Sequence, residues 1–271
     1  MHERISVHSV CFPGAGLREL AGYWRELEAH RVTLVSDLVL KEGTSAVQAA
    51  LGEDGRRVEL VVHAFLPGRH LDAGVECWSE ARETLGRVIE HAAALGAPSI
   101  QVLTGGHGAL TWEEAAEAFR DAIAPCAAQA KGAGTALIVE NASGLYADVN
   151  ITHTLRDVLT LADIADVGVC VELFGCWTEA GLRQSLERAM PRCGIVQVCD
   201  YVYGDRSLPA RAVPGDGVIP IRRIIEWCLQ AGYSGAFDLE LIGPRIDREG
   251  RLAAVRRAAK HVGGILGDLG V

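Results

Sequence analysis

Four oxygen-bearing side chains lie at or near the ends of four successive apolar, β-branched runs in the second half of the chain. They are Glu140 in TALIVEN, Glu172 in VGVCVEL, Gln197 in GIVQVCD and Glu240 in AFDLEL. Three carboxylates and an amide brought together could hold a divalent cation that prefers oxygen ligands. Such a cation stabilises an enediolate, and a carboxylate on each face can remove and return a proton. The four residues predict metal-assisted proton transfer next to a carbonyl group.

Strand-like runs recur along the chain and would bring these side chains together. The runs are almost continuously apolar, as expected for parallel strands buried on both faces, and amphipathic helix-like segments separate them. Thr111 followed by Glu114 predicts a capping box at the start of one helix. Without a break in composition, the pattern predicts a single (β/α)8 barrel over residues 1–271, whose strands all end at one mouth. The predicted strands are 5–11, 31–36, 58–65, 99–105, 135–141, 167–173, 194–200 and 236–241.

The composition restricts the class of protein and its partners. A formal charge of −9 argues against binding a nucleic-acid backbone. The eight cysteines contain no CxxC pair, which disfavours a zinc knuckle or a thioredoxin-like motif and fits a reducing cytoplasm. We see no signal-peptide pattern, membrane-length apolar run, P-loop or dinucleotide fingerprint. We therefore expect a cytoplasmic protein that binds a small molecule, without nucleic acid, membrane, NAD or ATP.

Histidine, arginine and tryptophan residues near the predicted strand ends form a second set of candidates. An arginine there could grip a carboxylate, a phosphate or sugar hydroxyls, and an aromatic ring could form the floor of a sugar site. The structural alternatives are a hydrogen-bonded core histidine, a salt bridge that braces a loop, and core packing. The long loop 201–218, with Asp200 just before it, also offers Asp205 and Arg211. The candidates for substrate binding are His8, His63, His107, Trp112, Trp177 and Arg206.

In its order and spacing, nearly the whole chain resembles the xylose-isomerase-like barrels, a superfamily of sugar (phosphate) isomerases and epimerases. Its relatives include hydroxypyruvate isomerase, ketose 3-epimerases, and inosose isomerase and dehydratase. The resemblance implies one divalent metal ion held by Glu140, Glu172, Gln197 and Glu240, with Glu140 and Glu240 also acting as acid and base. It further implies a histidine at the third strand end, matched by His63, and an arginine after the seventh, where Arg206 is the nearest match. These barrels often pair, so a homodimer is an option.

Two positions depart from the family pattern. The sixth strand usually ends in Asp followed three residues later by His, whereas this chain has Glu172 and Gly175. Gln197 stands where His is commoner, although hydroxypyruvate isomerase supports Gln as a ligand there. An amide is a weaker ligand than imidazole for softer metals, which favours Mn²⁺ or Mg²⁺ and leaves Co²⁺ and Zn²⁺ as further options. If Glu172 bends away to an arginine of the loop, the metal site would be incomplete.

The leading hypothesis is a divalent-metal-dependent isomerase or epimerase of a small polyhydroxylated carbonyl compound, such as a sugar, a sugar phosphate or an inosose. A dehydratase or other lyase on the same scaffold is an alternative, because both reactions begin with proton abstraction next to a carbonyl. A barrel that binds a ligand without turnover is another. A repair nuclease resembling endonuclease IV needs a three-zinc cluster rich in His, which the missing histidines and the acidic charge disfavour.

Overall fold

Eight parallel strands close into a barrel in the computed structural model of this protein, which describes residues 1–52 and 55–271. Each strand pairs with the next one along the chain, and the last pairs with the first through Ile5 and Phe237. The strands are β1 (Ile5–His8), β2 (Arg31–Val35), β3 (Arg57–Ala64), β4 (Ser99–Leu103), β5 (Ala136–Glu140), β6 (Gly168–Glu172), β7 (Cys193–Val198) and β8 (Phe237–Leu239).

Helices connect successive strands and bury one apolar face each. Thr111 and Glu114 form the predicted capping box, with each backbone N–H donating to the other side chain at 3.3 and 2.9 Å. In the described part of the chain, no helix is both long and apolar enough to span a membrane. The α-helices are α1 (Leu17–Glu26), α2 (Ser36–Glu42), α3 (Thr44–Leu51), α4 (Gly74–Ala94), α5 (Trp112–Gly132), α6 (Leu155–Ala165), α7 (Leu173–Cys176), α8 (Leu182–Ala189), α9 (Ile221–Gln230), α10 (Pro244–Glu249) and α11 (Arg251–Asp268).

The eight predicted strands and the (β/α)8 barrel are confirmed, with strand ends that differ from prediction by at most three residues. The largest difference is at β1, which stops at His8. There the imidazole Nδ1 accepts a hydrogen bond from the N–H of Val10 at 3.0 Å and starts a 3-10 turn. A side chain that bonds its own backbone in this way competes with the strand ladder.

On the side of β5, β6 and β7, the interior of the barrel changes from apolar to polar towards the carboxyl ends of the strands. Alternate residues of a strand face the same side, so Glu140, Glu172 and Gln197 follow the inward apolar positions at a spacing of two residues. Glu172 and Gln197 are paired in register across β6 and β7. The buried apolar cluster beneath them consists of Leu60, Ile138, Cys170 and Ile195. The fold therefore places carboxyl groups at one mouth on an apolar floor.

The long loop after β7 is fixed to the ends of β7 and β8. Asp200 and Ala212 exchange backbone hydrogen bonds of 2.9 and 2.8 Å, and Arg211 N–H donates to Ile242 O at 3.2 Å. A Cβ at Gly217 would lie 2.2 Å from a backbone oxygen, so only glycine permits this close approach. The buried Asp200 carboxylate accepts four backbone hydrogen bonds of 2.8–3.0 Å, from Tyr201, Gly215, Gly217 and Ile219.

Candidate active site

The three predicted glutamates converge on a cavity of about 290 Å³ at the carboxyl-end mouth of the barrel. Glu140 ends β5, Glu172 ends β6, and Glu240 directly follows β8. The same cavity is also lined by polar side chains that include Asn141, Ser143, Tyr146, Asn150 and Arg211. The fold thus brings together carboxyl groups that are up to 100 positions apart in the chain.

Arg211 lies between two of these carboxylates. Its Nη1 is 3.3 Å from Glu172 Oε1, and its Nη2 is 3.0 Å from Glu240 Oε2. The guanidinium carbon also lies 4.2 Å from the centroid of the Phe174 ring, a cation–π contact. Burial by itself lowers the pKa of Arg211, but attraction by Glu172 and Glu240 outweighs it and leaves the pKa above its ordinary value. The site therefore contains a permanent positive charge.

Glu172 is both a helix-cap acceptor and a salt-bridge partner. Its Oε1 accepts the N–H of Phe174 at 2.9 Å, and its Oε2 accepts the N–H of Gly175 at 2.7 Å. These bonds satisfy two N–H groups at the start of α7. Burial raises the pKa of Glu172 to about 7, against the opposing effects of Arg211 and the two N–H donors. Both carboxylate oxygens are therefore already engaged by the protein.

Glu140 differs from the other two glutamates because no arginine among residues 1–52 and 55–271 forms an ion pair with it. Burial, followed by repulsion from Glu240 and Glu172, raises the pKa of Glu140 well above its ordinary value, although Arg211 at longer range and a hydrogen bond from Gln101 oppose the change. Its backbone oxygen accepts hydrogen bonds from Asn150 Nδ2 at 3.1 Å and Thr152 Oγ1 at 2.5 Å. The end of β5 is therefore fixed where its carboxyl group enters the cavity.

The predicted ligand set does not fit a divalent cation in this arrangement. Glu172 caps a helix, and Glu172 and Glu240 both contact Arg211. Gln197 does not line the cavity, and its Oε1 accepts the Cys170 thiol at 3.3 Å. Within residues 1–52 and 55–271, no group of three or more His, Cys, Asp or Glu side chains is arranged to hold a metal ion. The guanidinium lies where the resemblance implies a cation.

His63, the predicted histidine of the third strand, opens on a different cavity. That cavity has a volume of about 300 Å³, and its lining includes Asp37, Arg69 and Glu80. His63 is 5% exposed, its Nδ1 lies 2.9 Å from Ser36 Oγ, and its Nε2 has no hydrogen-bond partner in the described residues. The structure therefore does not bring His63 to the glutamates.

We expect His63 to make folding sensitive to mild acid. Burial, opposed by Asp37, lowers the pKa of His63 from 6.5 to about 4. Below pH 6.5 the His63 imidazole becomes protonated in the unfolded chain, whereas in the folded chain it stays neutral down to about pH 4. The free energy of unfolding should therefore fall by up to about 3 kcal/mol between pH 6.5 and pH 4.

Urea unfolding at several pH values tests this expectation. In the His63→Gln variant the free energy of unfolding should fall less between pH 6.5 and pH 4 than in the wild type. The variant His30→Gln, at an exposed histidine, should behave like the wild type. Parallel curves for wild type and His63→Gln would contradict it.

The other candidates for substrate binding lie outside the cavity lining. Arg206 is exposed, and the Trp112 Nε1–H donates to Ile151 O at 2.8 Å. Trp177 packs near Tyr201, with ring centroids 6.3 Å apart. His8 caps the turn after β1, and His107 lies half-buried in the loop after β4. A role in substrate binding stays a prediction for each of them.

The sequence predicts that an arginine of the loop after β7 reaches the site, and it favours Arg206. Arg211 is the one that reaches the carboxylates, and Asp205 pairs with Arg245 at 2.5 Å and not with Arg206. Asn141 was also missed, although it directly follows Glu140. Its side chain joins β5 to β6 by exchanging hydrogen bonds of 2.7 and 3.1 Å with the backbone of Glu172.

Comparison with known proteins identifies the family. A family model described as xylose isomerase-like TIM barrel matches residues 21–262. The chain belongs to this family. No curated protein sequence matches the chain significantly.

Solved structures share the fold of this family member over nearly their whole length. A protein from Sinorhizobium meliloti 1021 superposes with a TM-score of 0.87 at 20% identity, over 97% of this chain and 98% of that one. The IolI protein with a bound zinc atom gives 0.82 at 12% identity, over 98% of each chain. D-psicose 3-epimerase from Clostridium cellulolyticum H10, bound to D-tagatose, gives 0.75 at 13% identity, over 98% and 97%. At these identities the likeness establishes the fold, and structures with this fold include sugar epimerases.

Proposed function

We propose that this protein is an isomerase or epimerase that transfers a proton next to the carbonyl group of a small polyhydroxylated compound. The observation that carries the proposal is the convergence of three carboxyl groups and one guanidinium on a single cavity at the carboxyl ends of the strands. That end of a (β/α)8 barrel is where active sites of this fold are found. The similarity to D-psicose 3-epimerase supports a sugar or related carbonyl compound as the substrate class.

The proposed chemistry needs a base, a second proton-transfer group and a positive charge. Glu240, held by Arg211, can accept the proton from the carbon next to the carbonyl, and Glu140 can return it from another side of the cavity. Arg211 can stabilise the negative oxygen that develops in the enediolate. Its Nε–H is buried and has no acceptor in the described residues, which leaves one donor of the guanidinium unused. Side chains of the protein alone can therefore supply all three groups.

The sequence predicts that a divalent metal ion supplies the positive charge for this reaction. The proton transfer proposed here is the same, with Arg211 supplying that charge. A divalent metal ion would supply Lewis-acid stabilisation of the enediolate if the site held one. Arg211 contacts one oxygen of Glu172 and one of Glu240, so a metal ion at these oxygens would have to displace the guanidinium. The proton-transfer function therefore does not depend on which cation serves the site.

Proton exchange with solvent gives a direct test of the function. The wild-type protein would be incubated in D₂O with ketoses, inososes and hydroxypyruvate, and loss of the C–H signal next to the carbonyl would be followed by NMR. We expect exchange with at least one compound, slowed about 100- to 10,000-fold in both Glu140→Gln and Glu240→Gln. Glu83→Gln, on the exposed surface of α4, serves as the matched control and should exchange like the wild type.

The same spectra separate the alternative functions. An epimerase gives the inverted sugar, an isomerase moves the carbonyl to the neighbouring carbon, and a dehydratase loses the β-hydroxyl group and produces an alkene signal. If ligands bind by saturation-transfer NMR but none exchanges a proton, the proposal is wrong and the non-catalytic binding barrel takes its place.

A further inference from the structure

The position of Arg211 bears on what kind of cation this barrel uses. We propose that the Arg211 guanidinium replaces the divalent metal ion of the family's site, so that the protein carries its catalytic cation as part of the chain. The part of this inference that concerns the metal is independent of the proposed function. The part that concerns the substrate oxygen rests on it.

The contacts of Arg211 are those that a cation would make. It lies within 3.3 Å of Glu172 and 3.0 Å of Glu240, two of the four predicted ligands. Both carboxylates belong to the mouth cavity, and Arg211 is one of its lining residues. A metal ion bound to the same oxygens would have to displace the guanidinium and overcome the repulsion of a nearby positive charge in a poorly hydrated site.

Arg211 is held in this position from three directions. Its own N–H donates to Ile242 O at 3.2 Å, and the neighbouring Ala212 is tied to Asp200 by two backbone hydrogen bonds. The Phe174 ring covers one face of the guanidinium at 4.2 Å. With only 13% of its side chain exposed, Arg211 differs from the exposed Arg206 of the same loop. The position is therefore determined by the fold.

The rest of the predicted ligand set is consistent with this replacement. Gln197 Oε1 accepts the Cys170 thiol and does not line the cavity, and each oxygen of Glu172 accepts an N–H at the start of α7. A guanidinium needs only acceptors in a plane and has no coordination sphere to complete. Two carboxylates contact its Nη1 and Nη2, and its buried Nε–H has no acceptor in the described residues. A substrate oxygen bound by Arg211 would be a carbonyl, enediolate or carboxylate oxygen.

Manganese binding measured by electron paramagnetic resonance tests the replacement without any activity assay. The signal of free Mn²⁺ would be recorded during titration with the wild type, Arg211→Ala, Arg211→Lys and the double variant Arg211→Ala/Glu240→Gln. We expect no stoichiometric binding by the wild type or Arg211→Lys, because each keeps a positive charge at the site. Arg211→Ala leaves the Glu140, Glu172 and Glu240 carboxylates around one cavity without a counter-charge, so it should bind about one Mn²⁺ per chain at least about 100-fold more tightly than the wild type. The double variant should lose that gain.

Each outcome decides the proposal. Tight, stoichiometric Mn²⁺ binding by the wild type would overturn it, because Arg211 would then not exclude the metal. Failure of Arg211→Ala to bind Mn²⁺ when folded would also overturn it, because something other than Arg211 would keep the metal out. Should Arg211→Ala not fold, Arg211→Gln removes the charge with less loss of volume and is titrated in its place. The absence of proton exchange with every compound would remove the proposed function but leave these binding results unchanged.

Discussion

Replacement of Arg211 by alanine is expected to lower the free energy of unfolding by about 3–5 kcal/mol, because it leaves the buried Glu172 and the half-buried Glu240 without their counter-charge. Glu172 and Glu240 both contact the guanidinium, and the Phe174 ring would lose the group that covers it. Urea unfolding at neutral pH would measure the loss. The exposed Arg206 of the same loop provides the control, and Arg206→Ala should change stability very little.

A second substitution tests the cause of this expected loss of unfolding free energy. A double variant, Arg211→Ala/Glu240→Gln, removes one of the two stranded charges and should recover part of the lost stability. Additive losses from the two substitutions would show that repulsion between the carboxylates is not the cause. A loss below about 1 kcal/mol in Arg211→Ala alone would mean that water or a shift of Glu240 relieves the charge.

Substitution of Asp200 by alanine should have the second large effect, a loss of at least about 3 kcal/mol of unfolding free energy. Four backbone N–H groups donate to this one buried carboxylate, and alanine offers none of them an acceptor. The loop they belong to carries Arg206 and Arg211, which are trypsin sites. We therefore expect limited trypsin digestion to cut this loop faster in Asp200→Ala than in the wild type.

A second aspartate of the same loop separates this effect from a general loosening of the surface. Asp205 pairs with Arg245 and is only partly covered, so Asp205→Ala should leave the digestion pattern and the unfolding curve almost unchanged. Equal digestion rates for Asp200→Ala and the wild type would contradict the proposed role of Asp200 in holding the loop.

The strands and the position of the glutamates could be predicted from the sequence for one physical reason. Parallel strands buried on both faces are mostly apolar, so a charged residue at the end of such a run marks the point where the strand leaves the core, whereas Asp238 is buried in the middle of β8. Glu140 and Glu172 end β5 and β6, and Glu240 follows β8 by one residue. The closed barrel then requires these ends to meet.

The partner of the glutamates could not be predicted in the same way. The loop after β7 has no periodicity, and its path depends on four hydrogen bonds to Asp200 from residues as far along the chain as Ile219. Arg206 lies nearer in sequence to Gln197, but Arg211 lies nearer in space to the carboxylates. Gln197 lies near the end of β7 as predicted, but its side chain bonds to Cys170 and does not line the cavity.

Gly175 lies where a larger side chain would disturb the end of β6. A Cβ at this position would lie 2.7 Å from Asn141 Nδ2, closer than real Cβ atoms approach, and 3.1 Å from Glu172 Oε2, a tight contact. A histidine there would have to displace the Asn141 side chain, which bonds to the β6 backbone, or the Glu172 carboxylate, which caps α7. An engineer who wishes to install a histidine ligand at position 175 would therefore have to redesign position 141 as well.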